Sequence, residues 1–331
     1  MQSQRRYPTS DHMPEPDFKS RVLGGLWGAV VGDALGVPVE FRSRDRLQAD
    51  PVTDLREQGT HSQPKGTWSD DSSLMLCTVE SLLRHKFDTT DMGQRFVRWS
   101  NAELWTPWGS VFDIGFATRS ALNRVQEGVP AEQAGGVDES SNGNGSLMRI
   151  LPVALRFANE PPERLLELAH RASTITHRHP RSQLACGFYC LLAARLLRGD
   201  APEAAHAAAI QITKDFYRQP PFAAEVPHFD KIFSSKLAAL PESEISSSGY
   251  VVDTLTAAVW CLLTSNGYQQ TVLKAVNLGG DTDTTGIVAG GLAGIHGGLG
   301  AVPENWRLAL ARARDLQAVF DPFTAACWRD D

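Results

Sequence analysis

The sequence has no excess of basic residues, no uninterrupted apolar run of membrane-spanning length and no Cys-x-x-Cys motif. Its 32 basic and 38 acidic residues give a net charge of −6, which argues against a general nucleic-acid binder. The longest apolar stretch, 22–39, is interrupted by Gly28, Gly32 and Asp33, and residues 1–18 lack the apolar core of a signal peptide. These absences favour a cytoplasmic protein that binds neither membranes nor nucleic acids.

Cysteine is scarce, and the five residues are an odd number. Cys186 and Cys190 lie four residues apart within an apolar run, so they share one face of a predicted helix. We expect buried, reduced thiols here rather than a zinc or redox centre.

Alternating apolar and polar residues, the pattern of a strand, are nearly absent, and no repeat or break in composition divides the chain. Apolar residues instead recur at helical spacing, which predicts an all-α fold with one domain over residues 21–331. Residues 1–20 are polar, contain three prolines and are expected to form a flexible arm. The 183–197 helix should be central and buried, and the small residues of 287–298 should let neighbouring helices approach closely. The predicted helices lie at 22–31, 74–83, 162–172, 183–197, 254–263, 271–278, 287–298 and 306–319.

Two acidic clusters precede predicted helices. Asp70 and Asp71 follow Ser69, and Asp281 and Asp283 lie within a run of glycines and threonines. A single serine or aspartate is enough to cap a helix, whereas crowded carboxylates repel one another unless a cation offsets them. Oxygen ligands of this kind suit Mg²⁺, Mn²⁺ or Ca²⁺, so the clusters indicate metal binding, with helix capping as the alternative.

Three further elements carry polar residues that a core or a plain loop does not require. Asp33 lies on an apolar helix, where it either bonds a nearby helix start or binds a metal, and Glu40 follows the end of that helix. The glycine-rich segment 141–149 is either a plain loop or a phosphate-binding loop. His177 has no cysteine or third histidine nearby, which favours a substrate-contacting role over zinc.

Taken in order, five motifs resemble the ADP-ribosylglycohydrolase family. They are GDALGVPVEF (32–41), WSDDSSL (68–74), GNGSLMR (143–149), THRHP (176–180) and NLGGDTDTTG (277–286). The resemblance spans residues 22–298. It implies a compact orthogonal helical bundle with a centre of two Mg²⁺ ions, or Mn²⁺ in their place.

The resemblance also implies roles for individual residues. The implied metal ligands are Ser69, Asp70, Asp71, Asp281, Asp283 and Thr284. The implied substrate-binding residues are Asn144, Gly145, Ser146, Met148 and His177. The implied candidates for acid or base catalysis are Asp71, Asp113 and Glu40. Two positions depart from the family pattern: Ser69 stands where threonine is usual, and Phe116 stands where the nitrogenase-type enzyme has asparagine.

The implied activity is hydrolysis of the bond between ADP-ribose and a protein side chain, with an ADP-ribosylated protein as the partner. The Asp113 segment favours arginine, while serine, a nucleic-acid base and an O-acetyl ester remain alternatives. A catalytically silent ADP-ribose-binding protein is a second interpretation. A third is an immunity protein that neutralises an ADP-ribosyltransferase toxin by hydrolysis, by placing the arm, with Arg5, Arg6 and Tyr7, in the toxin's active site, or by both.

Overall fold

A computed structural model describes residues 15–328, and within them the fold is all-α, as predicted. Pairing between extended segments is limited there to three isolated bridges. The helices of the described residues are α1 (Phe18–Gly36), α2 (Arg44–Ala49), α3 (Asp70–Arg84), α4 (Thr89–Ser100), α5 (Phe116–Gln126), α6 (Ala131–Ala134), α7 (Leu151–Arg156), α8 (Pro162–Thr174), α9 (Pro180–Leu197), α10 (Pro202–Phe216), α11 (Val251–Leu263), α12 (Tyr268–Asn277), α13 (Thr282–Gly297), α14 (Glu304–Ala309) and α15 (Ala313–Trp328).

The prediction of one closing helix over 306–319 is wrong, because the chain turns sharply between α14 and α15. Arg312 has a left-handed backbone with φ of 54°. The amide of Ala311 donates to the carbonyl of Gly66 at 2.9 Å instead of to a helical partner. This tertiary hydrogen bond ties the end of the chain to the loop that leads into α3.

The prediction for α9 is confirmed, since nearly all of its residues are buried. It packs against α8, α10, α7 and α13. Its two cysteines are buried and free, as are Cys77 and Cys261, and Cys327 is also buried.

Helix α1 has the length and hydropathy of a membrane span, counted over Phe18–Val39. That apolar window is entirely buried inside the protein, against α13 and other helices. A core helix therefore accounts for the composition of this segment.

Helices α1 and α13 pack against each other with their backbones in direct contact. Glycines recur every four residues on the facing surfaces, at Gly24, Gly28 and Gly32 of α1 and at Gly286, Gly290 and Gly294 of α13. A Cβ atom on Gly32 would lie 2.1 Å from the carbonyl oxygen of Gly286. A residue larger than glycine therefore cannot enter this contact without moving one helix.

The same helix contact brings the end of α1 against the start of α13. The hydroxyl of Thr282 donates to the carbonyl of Gly36 at 2.8 Å, and a Cβ atom on Gly36 would lie 2.3 Å from the amide nitrogen of Asp283. Two acidic segments almost 250 residues apart in sequence thus become neighbours.

Only the last part of the predicted arm, from Glu15 onward, lies within the described residues. Asp17 caps α1 by accepting the amide hydrogen of Ser20 at 2.7 Å, so Phe18–Ser20 form the first turn of the helix. The buried Arg21 donates to the carbonyl of Pro16 at 3.0 Å and forms an ion pair with Glu15.

We predict that Gly32→Ala lowers the free energy of unfolding by about 1–3 kcal/mol, the usual cost of overpacking a close contact. Gly300→Ala is the matched control, because a Cβ atom there meets nothing within 4 Å. Chemical denaturation of both variants is the measurement. Equal midpoints for the two variants would contradict the proposed role of the α1–α13 contact.

Candidate functional site

A cleft at the ends of α1, α3 and α13 gathers most of the residues that the sequence analysis selected. Those that line it are Glu40, Asp70, Asp71, Asp113, Asn144, Gly145, Met148, His177, Asp281 and Thr284. Ser69, Ser146 and Asp283 are buried directly behind this wall. The lining of this cleft therefore carries residues from six separate segments.

The start of α3 is held by a carboxylate from α1. Asp33 accepts hydrogen bonds from the amides of Ser69 and Ser72, each at 3.0 Å, and from the Ser72 hydroxyl at 2.5 Å. Of the two roles left open for Asp33, the structure shows bonding to a helix start. Ser69 is the N-cap of α3, and its hydroxyl accepts from the Asp71 amide at 3.3 Å.

The start of α13 is connected to the glycine-rich loop. The side-chain amide of Asn144 donates to Asp281 Oδ2 and to Thr254 Oγ1, both at 2.9 Å. Asp283 Oδ1 accepts the amide hydrogen of Thr284 at 3.0 Å. The 141–149 segment is thus part of the acidic site rather than a detached loop.

Three buried carboxylate oxygens in this site have no hydrogen-bond partner among the described residues. They are Asp71 Oδ2, Asp281 Oδ1 and Asp283 Oδ2. Buried polar atoms in folded proteins are almost always paired, so these oxygens indicate a missing positive partner. Glu40, Asp281 and Asp283 also offer ligand atoms within 4.8 Å of one another.

The electrostatics of these carboxyl groups also indicate a cation site. Burial raises the pKa values of Asp70, Asp71 and Asp283 well above the ordinary aspartate range, and neighbouring carboxylates raise them further. A divalent cation would relieve both effects, and an oxygen-only donor set suits Mg²⁺ or Mn²⁺. The residues present therefore fit a metal centre.

His61 belongs to the site although no sequence motif marks it. Its Nε2 atom lies 2.5 Å from Glu40 Oε2 and 4.0 Å from Asp113 Oδ2. Burial raises the pKa of Glu40 to about 8, and the hydrogen bond to Glu40 raises the pKa of His61. A lone histidine in a polar loop between two motifs gave no signal by which it could have been selected.

The loop side of the cleft is closed by a neutral histidine. Burial lowers the pKa of His177 to about 3, and the nearby Arg149 adds to the effect. Thr176 Oγ1 lies 2.9 Å from His177 Nδ1, and a Cβ atom on Gly145 would lie 2.8 Å from the imidazole ring. Glycine is therefore needed where the loop passes over the histidine.

Ser146, predicted to contact substrate, directs its hydroxyl away from the cleft. The hydroxyl accepts from Ser173 Oγ at 2.9 Å and lies 3.4 Å from Cys186 Sγ, and the side chain is fully buried. A contact of Ser146 with substrate would therefore have to come from its main chain.

The mouth of the cleft is aromatic and exposed. Phe41 and Phe116 line it and are 67% and 87% exposed, unusual values for phenylalanine. Phe41 and Asp113 have left-handed backbones, with φ of 62° and 57°. Strained non-glycine residues of this kind cluster at functional sites.

Comparisons with known proteins agree with this geometry. The family described as ADP-ribosylglycohydrolase matches residues 14–330. A relative named ADP-ribosylarginine hydrolase Tri1 from Pseudomonas putida (strain GB-1) is 33% identical, over 90% of this chain and 76% of the relative. A protein of the same name from Serratia proteamaculans (strain 568) is 30% identical, over 89% and 76% of the two chains.

Two more matches span nearly the whole chain. The ADP-ribosyl-[dinitrogen reductase] glycohydrolase of Rhodospirillum rubrum is 27% identical, over 96% of this chain and 100% of the relative. A solved structure of an ADP-ribosylglycohydrolase-related protein complex is 33% identical, with a TM-score of 0.77, and covers 94% of this chain and 99% of its own. The motifs that carried the resemblance also form the site, and this chain belongs to the ADP-ribosylglycohydrolase family.

Proposed function

We propose that this protein hydrolyses the N-glycosidic bond between ADP-ribose and an arginine side chain of a modified protein, with two Mg²⁺ ions, or Mn²⁺, in the acidic site. The observation that carries the proposal is the set of three buried, unpaired carboxylate oxygens in a cleft that a glycine-rich loop closes. The two relatives named ADP-ribosylarginine hydrolase support the choice of arginine.

The buried side of the cleft would hold the ions. The residues proposed as ligands are Ser69, Asp70, Asp71, Asp281, Asp283 and Thr284. Bound there, the ions would orient ribose hydroxyls and polarise water. Asn144, which bonds Asp281, would connect the metal side of the cleft to the glycine-rich loop. The residues proposed to receive the diphosphate are Asn144, Gly145, Ser146, Met148 and His177.

Carboxylates that line the cleft would act on the reacting bond. Glycoside cleavage passes through a transition state with positive charge on the sugar ring, which nearby carboxylates stabilise. Glu40, Asp71 and Asp113 all line the cleft, and we propose that the proton transfers belong to this trio. Asp113 is the most exposed of them, with 21% of its side chain accessible, which supports assigning it to the arginine end of the substrate.

The aromatic mouth favours arginine over serine as the side chain released. A guanidinium group is planar and cationic, and it binds both to the faces of aromatic rings and to carboxylates. Phe41 and Phe116 provide such rings in the same wall as Asp113. A serine hydroxyl would make no comparable contact.

We predict that the protein releases ADP-ribose from an arginine-ADP-ribosylated protein in Mg²⁺ and not in EDTA. Asp283→Asn should slow release by more than about 100-fold, since loss of a metal ligand should lower activity more than loss of a residue that only hydrogen-bonds a ligand. The matched control is Asp321→Asn, an exposed aspartate on α15. Release of ADP-ribose is the measurement.

The same assay separates the alternatives. Release from a serine-linked protein alone would replace arginine with serine. Bound ions and bound ADP-ribose without release from either substrate would favour a silent binding protein. Full activity of Asp283→Asn would refute the metal assignment.

Metal-free stability should fall as the pH rises. The folded-state pKa values of Glu40, Asp70, Asp71 and Asp283 are raised, to about 8 for Glu40. Their contribution to stability is therefore complete below the unfolded value near 4 and is lost as the pH rises toward 8. In EDTA we expect a Tm several degrees lower at pH about 8 than at pH about 5, and Mg²⁺ should restore it at the higher pH.

Thermal unfolding of the protein and of Asp283→Asn checks this prediction. The variant should show a smaller pH dependence and a smaller gain from Mg²⁺, because one of the crowded carboxylates is gone. A Tm in EDTA that rises between the two pH values would contradict it.

Blocking of a transferase toxin is proposed as a role of the N-terminal segment, of which residues 1–14 lie outside the described part. A truncation should stop before Glu15, because Glu15 pairs with Arg21 and Asp17 caps α1. We predict that removal of 1–14 weakens binding to an arginine-specific ADP-ribosyltransferase and leaves hydrolysis unchanged. Unchanged binding in a pull-down titration would remove this role from the segment.

A further inference from the structure

A short loop before α3 is built to bring His61 against Glu40. Gln58, Gly59 and Ser62 have left-handed backbones, with φ of 64°, 69° and 51°. A Cβ atom on Gly59 would lie 1.9 Å from the carbonyl oxygen of Pro38, so the loop is packed directly on the segment that ends in Glu40. Gln58 and Ser62 are not glycine, and two strained non-glycine residues in a five-residue stretch favour a functional reason for the shape.

The loop is also bonded to the main chain of Glu40. The hydroxyl of Thr60 donates to the Glu40 carbonyl at 2.7 Å, and the next residue, His61, meets the Glu40 side chain at 2.5 Å. The imidazole ring lies between two phenyl rings, with centroids 6.2 Å from Phe41 and 5.3 Å from Phe112. Backbone, hydroxyl and ring contacts therefore all set the position of His61.

The other titratable side chains that face Glu40 among the described residues, apart from His61, are carboxyl groups. Asp113, Asp281 and Asp283 surround it, and each raises the cost of holding a further carboxylate in place. The Glu40 side chain is nevertheless 5% exposed, so it remains inside the site instead of turning to solvent. A hydrogen-bond donor on its outer side is what such a position requires.

We propose that His61 is a positioning residue, which donates from Nε2 to Glu40 Oε2 and so holds this carboxylate toward the reacting centre. The proposal rests on the proposed function, because it gives Glu40 a part in hydrolysis. His61 itself acts through Glu40.

Two substitutions separate the donor from the ring. His61→Phe keeps an aromatic ring between Phe41 and Phe112 but removes the donor. His61→Gln removes the ring but keeps an N–H group at about the reach of Nε2. His85→Phe and His85→Gln are the matched controls, since His85 lies at the exposed end of α3, 3.7 Å from Asp91.

We expect His61→Phe to lower kcat for release from the arginine-linked protein about 10–100-fold, the usual effect of losing a supporting hydrogen bond, with KM changed less than about threefold. His61→Gln should recover most of the lost kcat. Both His85 variants should match the unsubstituted protein. Wild-type kcat in His61→Phe, or equal losses in both His61 variants together with a lowered Tm, would overturn the proposal.

A crystal structure of each His61 variant tests the positioning independently of activity. The Glu40 carboxylate should be displaced in His61→Phe and in place in His61→Gln, and an undisplaced carboxylate in His61→Phe would overturn the proposal. If the unsubstituted protein releases no ADP-ribose from either linkage, the proposed function fails, while these structures still decide whether His61 holds Glu40.

Discussion

The backbone contact between α1 and α13 is the constraint on which the rest of the structure depends. Because glycines face each other along both helices, the axes come closer than side chains would permit. The end of α1 and the start of α13 then share a hydrogen bond between Thr282 and Gly36. From that junction, Asp33 bonds the start of α3, so the α1–α13 contact places the starts of α3 and α13, which carry the two acidic clusters, beside each other.

The site concentrates more negative charge than its own hydrogen bonds can satisfy. Both acidic clusters lie in the first turns of long helices, where the amide groups and the helix dipole favour negative charge. The Asp33 carboxylate on α1 is fully hydrogen-bonded by the amides of Ser69 and Ser72 at the start of α3. Asp71, Asp281 and Asp283 each keep an unpaired buried oxygen, so the helices stabilise part of the charge and leave the rest to a cation.

The two sides of the cleft have opposite physical character. The inner side is buried, acidic and held by main-chain hydrogen bonds from helix starts. The outer side carries exposed rings at Phe41 and Phe116 and the strained backbone of Asp113. This division suits the proposed substrate, whose sugar end would enter the cleft and whose protein end would stay outside, and acceptor preference would then depend on the outer side.

Local sequence determined the all-α fold, the buried α9 helix and the motifs of the site, because helical periodicity, helix-start residues and clustered carboxylates are short-range signals. The break at Arg312 and the place of His61 came from the tertiary structure alone. The first depends on a hydrogen bond between Ala311 and Gly66, and the second on packing of Gly59 against Pro38. Such contacts join segments that are distant in sequence, and a local pattern does not tell how those segments are arranged in space. For the same reason, only the tertiary structure showed that Asp33 bonds the start of α3 rather than a metal.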